Sequence, residues 1–332
     1  MEPLALHTLH EKLGAIFGGW NEREIVEHYG SPAAEYAAWR SGAALFDLSH
    51  RQVLRAVGSD RVPFLQGMLT NDVQSLAVGE QTYAALLTTK GSMICDVRVL
   101  KRESDILLEL EAGLAPKAKA TLEKYIISED VELSDVSGDF GLLAVAGPQA
   151  DALLAQSFGK DVSVFQDDVL GATARRLLIP KDRLGAIAQQ LLSASLGTAT
   201  RPAGMQTYEV VRVQSRVPRY GIDMDEQTIP LEANLQRAIS YTKGCYIGQE
   251  VIARVTYRGH VNRLLCGLVL EDHLPQPKTA LFRDGKAVGF VTSAVRSFEQ
   301  NTVTAMGYVH RDSSEPGTQL NVDNNGIARV GS

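Results

Sequence analysis

The sequence has few cysteines, no long apolar run and no excess of positive charge. Its 3 cysteines are too few and too widely spaced for a disulfide framework, so the thiols are expected to be reduced. No run approaches the roughly 20 apolar residues that a membrane helix needs. A net charge of −6 argues against a nucleic-acid coat protein, which would carry a basic field. We therefore expect a globular cytoplasmic protein without direct nucleic-acid or membrane contacts.

Familiar catalytic and metal-binding motifs are also missing. There is no Cys-x-x-Cys pair, no P-loop and no G-x-G-x-x-G. Asp47, Ser49 and His50 have the letters of a hydrolytic triad, but triads assemble from distant segments, so we interpret this cluster as coincidence. His7 and His10 lack further ligands, and no metal site is expected. The few cysteines cannot by themselves complete the usual four-thiolate ligation of an iron–sulfur cluster.

Hydrophobic patterning predicts a mixed αβ body. The segments expected to be helical are 32–40, 62–69, 115–127, 181–196, 204–215 and one that starts at Pro230. Ser31 can cap the first of these, with Pro32 at its first position. Residues 51–136 have the pattern strand, helix, three strands, helix, strand. Helices packed on a mixed sheet are the natural result.

The texture changes after residue 262 to short strands. Asp284-Gly285 and Asn325-Gly326 are suited to tight hairpin turns, in which both central residues need positive φ. Residues 263–332 are therefore expected to form a small, barrel-like β domain.

The stretch KGCYIGQE at 243–250 is the most informative for chemistry. Its two glycines permit a tight loop with close backbone approach to a ligand. A helix from Gln249 to Arg254 would direct its first N–H groups at a negative charge, and Lys243 adds a cation. Both effects would favour the thiolate form of Cys245. A buried structural cysteine in a glycine-rich turn fits the local sequence equally well.

Asp96 is the second candidate. It lies in the apolar, strand-like segment GSMICDVR at 91–98. A carboxylate on the inner face of a sheet costs free energy unless it has a partner, so Asp96 is either functional or bonded to Arg98 or another neighbour. A structural or edge-strand aspartate is the simpler alternative.

A third group is basic. Its members are Arg254, Arg258, His260 and Arg263. The arginines could hold an anionic ligand, or they could form a solvated face with inter-domain ion pairs. These residues alone leave both interpretations open.

Longer segments resemble one known family. GAALFDLSH at 42–50 is similar to the GxFDxSH segment of the T-protein of glycine cleavage. The similarity continues through FLQ at 64–66, TND at 70–72, AVAGP at 144–148 and YGIDMD at 220–225. KGCYIGQE followed by Arg254 resembles the signature of the YgfZ branch. By resemblance over nearly the whole chain, the protein is identified as a member of the YgfZ/GcvT family, closer to the YgfZ branch.

The resemblance implies an α+β fold of three domains, the aminomethyltransferase-like cloverleaf around a folate-sized hole. Two domains would be ferredoxin-like α+β domains and the third a C-terminal β-barrel. The implied boundaries are 1–52 with 137–255 for the first domain, 53–136 for a domain inserted in it, and 256–332 for the barrel.

The resemblance also implies tetrahydrofolate or a derivative as the ligand. Asp96 takes the position of the aspartate near the reacting pterin nitrogen, and with Cys245 it is the expected catalytic pair. The residues expected to bind the folate are Tyr83, Asp96, Lys243, Gly244, Tyr246, Gln249 and Arg254.

The chain also departs from the T-protein pattern. Residues 174–181 read ARRLLIPK in place of a Tyr-Thr-Gly-Glu stretch, Glu111 replaces an asparagine, and an Arg-Asp pair is missing near 206–215. The resemblance therefore favours a folate-binding accessory protein for iron–sulfur cluster assembly or repair. Its indirect partners would be iron–sulfur proteins such as tRNA methylthiolating enzymes. The alternatives are a tetrahydrofolate-dependent aminomethyltransferase and an interaction module with a vestigial pocket.

Overall fold

The computed structural model describes residues 1–155, 158–193, 200–271, 273–299, 302–323 and 326–331. In chain order its helices and strands are α1 (His7–Lys12), β1 (Ile16–Trp20), β2 (Arg23–His28), α2 (Pro32–Ser41), β3 (Ala43–Asp47), β4 (Gln52–Val57), α3 (Arg61–Met68), β5 (Gln81–Leu87), β6 (Met93–Lys101), β7 (Ile106–Leu110), α4 (Ala115–Glu123), β8 (Glu132–Asp135), β9 (Phe140–Ala146), α5 (Ala150–Leu154), β10 (Ser163–Gln166), β11 (Arg175–Pro180), α6 (Lys181–Ser193), β12 (Thr200–Ala203), α7 (Met205–Gln214), α8 (Gln249–Arg258), β13 (Arg263–Leu270), β14 (Ala280–Arg283), β15 (Lys286–Arg296), β16 (Val303–His310), β17 (Gln319–Val322) and β18 (Gly326–Val330).

These elements form two compact units, each made of several chain segments. The first comprises Met1–Arg61, Leu76–Gln81 and Arg98–Val211, and the second comprises Val62–Ser75, Thr82–Val97 and Arg212–Ser332. The three-domain boundaries inferred from the resemblance stay a prediction.

A five-stranded sheet with strand order β10-β11-β9-β3-β12 is the centre of the first unit. Leu184, Ile187 and Leu191 recur on α6 at spacings of three and four residues, which gives this helix one apolar face. That face packs on strand side chains such as Leu143 and Leu177. The helix predicted over 181–196 is confirmed from 181 to 193, and residues 194–196 lie outside the described part of the chain.

Local chemistry explains where α2 begins. The Oγ of Ser31 accepts a hydrogen bond from the N–H of Ala34 at 3.3 Å, and Pro32 follows at the first helical position. Proline is tolerated there because the first N–H groups of a helix have no intrahelical partner. The predicted cap is therefore confirmed.

The end of the chain forms a closed barrel with strand order β13-β16-β15-β14-β17-β18. Buried and exposed side chains alternate along β18, as expected for a strand with one face towards the barrel interior and the other towards solvent. Ala328 and Val330 are buried, whereas Ile327 and Arg329 are exposed. Apolar side chains from all six strands fill the interior. The predicted mixed αβ body with a C-terminal β-barrel is confirmed.

The two predicted hairpins differ in outcome. Asp284 and Gly285 join β14 to β15 with φ values of 50° and 76°, as a type I′ turn requires. β17 pairs antiparallel with β18, but Asn325 of the second predicted turn lies outside the described residues.

The helix predicted from Pro230 is wrong. Only a short 3₁₀ turn forms there, at Gln236–Ala238. Asn234 has φ of 58°, which interrupts a right-handed helix, and its side-chain amide donates to the carbonyl of Leu265 at 2.9 Å. The segment therefore runs beside β13. Its apolar side chains are buried, although it does not form the predicted helix.

Hydrogen bonds of the buried Asp223 carboxylate attach the segment that precedes the 3₁₀ turn to the barrel. Asp223 accepts hydrogen bonds from Arg212 at 2.5 Å and from Thr292 and Ser293 at 2.6 Å each. Both hydroxyl donors are on β15.

Within the described residues, no helix has the length and apolar character needed to span a membrane.

Candidate functional site

The carboxylate of Asp96 lies in the second unit, on the first half of β6. Asp96 is 7% exposed, and every residue of β6 up to Leu100 is buried. The Oη of Tyr83, on β5, donates a hydrogen bond to its Oδ2 at 2.9 Å. Because a buried carboxylate is costly without such a donor, this bond explains how Asp96 is accommodated. Two of the predicted site residues are thus in direct contact.

A tight turn leads into this strand. Gly91 has φ of 80°, and its N–H donates to the carbonyl of Thr88 at 2.9 Å. A Cβ atom at Gly91 would lie 2.8 Å from Cβ of Val251, which belongs to α8. The turn before Asp96 therefore packs directly on the helix that ends the KGCYIGQE stretch, and only glycine fits there.

Arg237 and Asn71 belong to this site, although the sequence analysis did not assign either of them to it. The guanidinium of Arg237 lies over the ring of Tyr83, 5.1 Å from its centroid. The Nδ2 of Asn71 donates to the carbonyl of Tyr83 at 2.8 Å and to that of Arg237 at 3.0 Å. The TND motif at 70–72 contributes only to the family resemblance, and no local signal marks Arg237.

Lys243 does not act as predicted. Its Nζ donates to three carbonyls at the end of α3, those of Gln66 and Leu69 at 2.6 Å and Asn71 at 2.9 Å. An ammonium group has three N–H donors, so the cation holds this backbone and is not directed at the Cys245 thiol. Burial lowers the pKa of Lys243 to about 8, although Asp72 acts in the opposite direction.

The two glycines of KGCYIGQE have different roles. Gly248 has φ of 84°, and a Cβ there would lie 2.6 Å from the carbonyl oxygen of Thr88. Gly244 has open space around its missing Cβ. The close approach at Gly248 is to the protein's own backbone, and the approach of the loop to a ligand stays a prediction. Between the two glycines Cys245 is exposed, whereas Tyr246 is buried. The alternative of a buried structural cysteine is therefore wrong.

The predicted helix after this loop is confirmed as α8, which begins at Gln249. Arg254 and Arg258 are exposed on it. Arg263 instead pairs with Glu232 at 3.1 Å and stacks on Tyr308, so at that position the structural interpretation of the basic group is correct.

The first unit contains a second set of buried charges. Glu109 accepts hydrogen bonds from Arg51 and Arg176, and Arg176 also donates to Asp167 at 2.5 Å. Burial alone would raise the pKa of Glu109, but Arg176, Arg51 and Arg98 more than offset this and lower it to about 2. Arg98, the partner that the sequence offered to Asp96, is the register partner of Glu109.

The cluster that looks like a triad is structural. Oδ2 of Asp47 bonds to Nε2 of His10 at 2.7 Å, and Nδ1 of His10 lies 2.8 Å from Oη of Tyr29. Ser49 bonds to the backbone of Leu142. Asp47 thus pairs with a histidine that is distant in sequence, while its Oδ1 accepts a hydrogen bond from the backbone N–H of Ser49 at 2.8 Å.

Two departures from the T-protein pattern have structural roles in the first unit. Glu111, which stands where the family has asparagine, accepts a hydrogen bond from Arg51 at 2.8 Å. The 174–181 segment forms β11, which carries the fully buried Arg176. Both positions contribute to the buried ionic network.

Comparison with known proteins identifies relatives along nearly the whole chain. Residues 6–169 match the family model of the GCVT N-terminal domain, and residues 263–330 match that of the glycine cleavage T-protein C-terminal barrel domain. The chain is 30% identical to an aminomethyltransferase of Saccharopolyspora erythraea, covering 97% of this chain and 94% of that one. An aminomethyltransferase of Bacillus subtilis is 27% identical, with 92% and 90% covered.

A solved structure is similar over the same extent. Glycine cleavage system aminomethyltransferase T from Bartonella henselae superposes with a TM-score of 0.91 at 26% identity, covering 100% of this chain and 97% of that one. The predicted aminomethyltransferase-like fold is therefore confirmed.

The predicted iron–sulfur accessory function is wrong. The curated relatives and the solved structure carry the name aminomethyltransferase, and neither the comparisons nor the fold supports iron–sulfur partners or a role in tRNA modification. That prediction rests on the missing T-protein residues and the Cys245 segment, whereas the similarity over the whole chain is to aminomethyltransferases. At two of those departures the chain carries charged residues, Glu111 and Arg176, that belong to the buried ionic network of the first unit.

Proposed function

The chain belongs to the glycine cleavage T-protein family, and from that premise we propose that it is a tetrahydrofolate-dependent aminomethyltransferase. The family uses tetrahydrofolate. The observation that carries the proposal is the buried Asp96 carboxylate with the hydroxyl of Tyr83 on one oxygen, in a chain similar to aminomethyltransferases over 97% of its length.

The donor set of the site fits a reduced pterin. A carboxylate accepts hydrogen bonds from N–H groups, which the pterin ring has. The ring of Tyr83 provides an aromatic surface beside the carboxylate. When bound, tetrahydrofolate supplies the two nitrogens that take up the methylene carbon, and the products are methylene-tetrahydrofolate, ammonia and the free thiol of the lipoyl carrier.

Asp96 is the group proposed to act in this transfer. Its carboxylate would orient the attacking nitrogen and stabilise the positive charge that develops during attack. Tyr83 keeps the carboxylate in place through the 2.9 Å bond. Burial of the strand around Asp96 excludes water, so this charge acts in a medium of low dielectric.

We propose that the rest of the folate site comes from the segment that begins at Lys243. Its ligand-binding members would be Gly244, Tyr246, Gln249 and Arg254, with Cys245 as an exposed neighbour. Lys243 would contribute by fixing the segment, since its ammonium donates to three backbone carbonyls. The contact of Gly91 with Val251 on α8 supports this, since it ties the segment to the turn before Asp96.

A narrower placement in the family is also proposed. KGCYIGQE keeps the chain in the YgfZ branch by resemblance, and this placement carries no iron–sulfur function. The few, widely spaced cysteines support action in the cytoplasm.

A turnover assay tests the proposed function. Purified protein is given an aminomethylated lipoyl carrier and tetrahydrofolate, and methylene-tetrahydrofolate is measured. We expect turnover, and a loss of about 100-fold in Asp96→Asn, because general acid–base groups contribute about that much. Glu271→Gln, which removes an exposed carboxylate of the barrel, is the matched control and should retain full activity.

A parallel titration with tetrahydrofolate separates the alternatives. Absence of turnover with saturable folate binding would reject the transferase. Absence of both would support the interaction module with a vestigial pocket.

A further inference from the structure

Arg237, Tyr83 and Asp96 form a chain of contacts in which the tyrosine is the middle member. The Arg237 guanidinium lies over one face of the ring at 5.1 Å from its centroid, and the hydroxyl of the same ring donates to Asp96 at 2.9 Å. A cation over a phenol ring attracts its π-electrons and makes the O–H group a stronger donor. Arg237 is exposed, so it contacts the ring from the solvent side.

The backbone holds this arrangement together. Asn71 donates from one amide nitrogen to the carbonyls of both Tyr83 and Arg237. The neighbouring residues Thr70 and Ala238 are also bonded. The Oγ1 of Thr70 donates to the carbonyl of Ala238 at 2.5 Å, and the carbonyl of Thr70 accepts from the N–H of Ser240 at 3.0 Å. The turn that carries Arg237 is therefore bonded on both sides to the loop that also fixes Tyr83. These backbone bonds bring Arg237 within reach of the Tyr83 ring.

We propose that Arg237 is a positioning residue for the transfer reaction, acting on Asp96 through Tyr83. It fixes the ring and strengthens the hydrogen bond that orients the carboxylate. This inference rests on the proposed function for its kinetic consequence, but its structural part concerns the protein alone. An arginine that only attracted an anionic substrate would act on binding, whereas one that orients the reacting carboxylate acts on the chemical step.

Arg237→Met and Arg237→Lys form the test pair. Methionine keeps length and apolar bulk without the charge, and lysine restores the charge. We expect kcat to fall about fivefold in Arg237→Met, with KM for tetrahydrofolate changed less than about twofold and the unfolding midpoint unchanged. Arg237→Lys should recover much of the rate. A rise in KM at constant kcat would overturn the proposal, because it would make Arg237 a substrate-binding cation.

A double-mutant cycle asks whether the effect passes through Tyr83. In a Tyr83→Phe background, which lacks the hydroxyl, Arg237→Met should cause no further loss of kcat. An equal loss in both backgrounds would show that Arg237 acts by another route and would reject the proposal.

A measurement without folate separates this proposal from the proposed function. With tyrosines labelled at ¹³Cζ, the Tyr83 resonance is assigned by its absence in Tyr83→Phe. It should shift in Asp96→Asn and in Arg237→Met, and shift less in Arg237→Lys. If the wild type shows no turnover but the resonance behaves as expected, the transferase assignment fails and the structural coupling stands. A resonance insensitive to Arg237→Met would reject the coupling whatever the turnover.

Discussion

Glu109 in the first unit and Asp96 in the second are both carboxylates buried in β-strands, with 5% and 7% exposure. Two arginines bond to Glu109, and a third lies opposite it in the neighbouring strand. The described hydrogen bond on Asp96 comes from the neutral hydroxyl of Tyr83. The described hydrogen-bond donors of the two carboxylates therefore differ in kind, although both carboxylates are buried.

This difference indicates how burial relates to function in this protein. The oxygens of a carboxylate enclosed by guanidinium groups are held by fixed donors, and its charge is neutralised within the fold. Such a carboxylate contributes to holding the fold together. A carboxylate oriented by a phenol keeps a charge that can respond to a ligand. Burial alone would have ranked the two residues equally.

The strongest test of the structural side of this comparison removes Arg176. Arg176→Met would leave Asp167 and Glu109 buried with one fewer cation, and breaking a buried ion pair in this way costs about 3–5 kcal/mol. Denaturant unfolding should show a loss of this size. Arg183→Met, which removes an exposed partner of Asp161, is the control and should leave the midpoint unchanged. A loss from Arg176→Met no larger than that of the control would mean that the network does not hold the first unit together.

Acid should weaken the same network. Burial opposes ionisation of Glu109, but the arginines lower its pKa from 4.5 to about 2. Since the folded-state pKa is the lower one, the stabilisation is complete above pH 4.5 and is lost as the pH falls towards 2, with about 3 kcal/mol at stake. Unfolding free energies measured across this window should fall steeply. In Glu109→Gln the slope should be shallower, and an identical slope would exclude Glu109 as its source.

The sequence predicted regular elements well where the signal was local. Ser31 and Pro32 begin α2, alternating apolar residues form the barrel wall, and Asp284-Gly285 forms its turn. It failed where side chains from distant segments compete for the backbone. The bond from Asn234 to Leu265 replaces the helix expected after Pro230.

The candidate site shows the same limit. Asp96 and Tyr83 could be named from the resemblance, and a hydrogen bond joins their side chains. The local sequence predicts that the charge of Lys243 acts on Cys245. In the structure the Lys243 ammonium donates to three carbonyls that lie some 170 residues earlier in the chain. Arg237 carries no local pattern, since its partner ring and the Asn71 amide lie far away in sequence.

The two glycines of KGCYIGQE offer a sharper comparison inside the second unit. Gly248→Ala places a Cβ against the carbonyl of Thr88 at a residue with φ of 84°, so we expect a loss of about 1–2 kcal/mol in the free energy of unfolding. Gly244→Ala meets open space and should change stability little. Thermal unfolding of the two variants side by side measures the difference. Equal losses would mean that the loop does not approach Thr88 as described.

The smallest effect is expected at Cys245. Its thiol is exposed, while the contacts that hold its segment come from Lys243, Tyr246 and Ile247, so Cys245→Ser should change stability by less than about 0.5 kcal/mol. No step of the proposed transfer uses a thiol of the protein itself, and turnover should fall no more than about threefold. The measurement is the aminomethyl transfer assay on Cys245→Ser beside Asp96→Asn. If turnover fell as far in Cys245→Ser as in Asp96→Asn, at unchanged stability, the exposed thiol would be a second reactive group. The chemistry would then not depend on Asp96 alone, and the contrast between the two carboxylates would no longer identify the site.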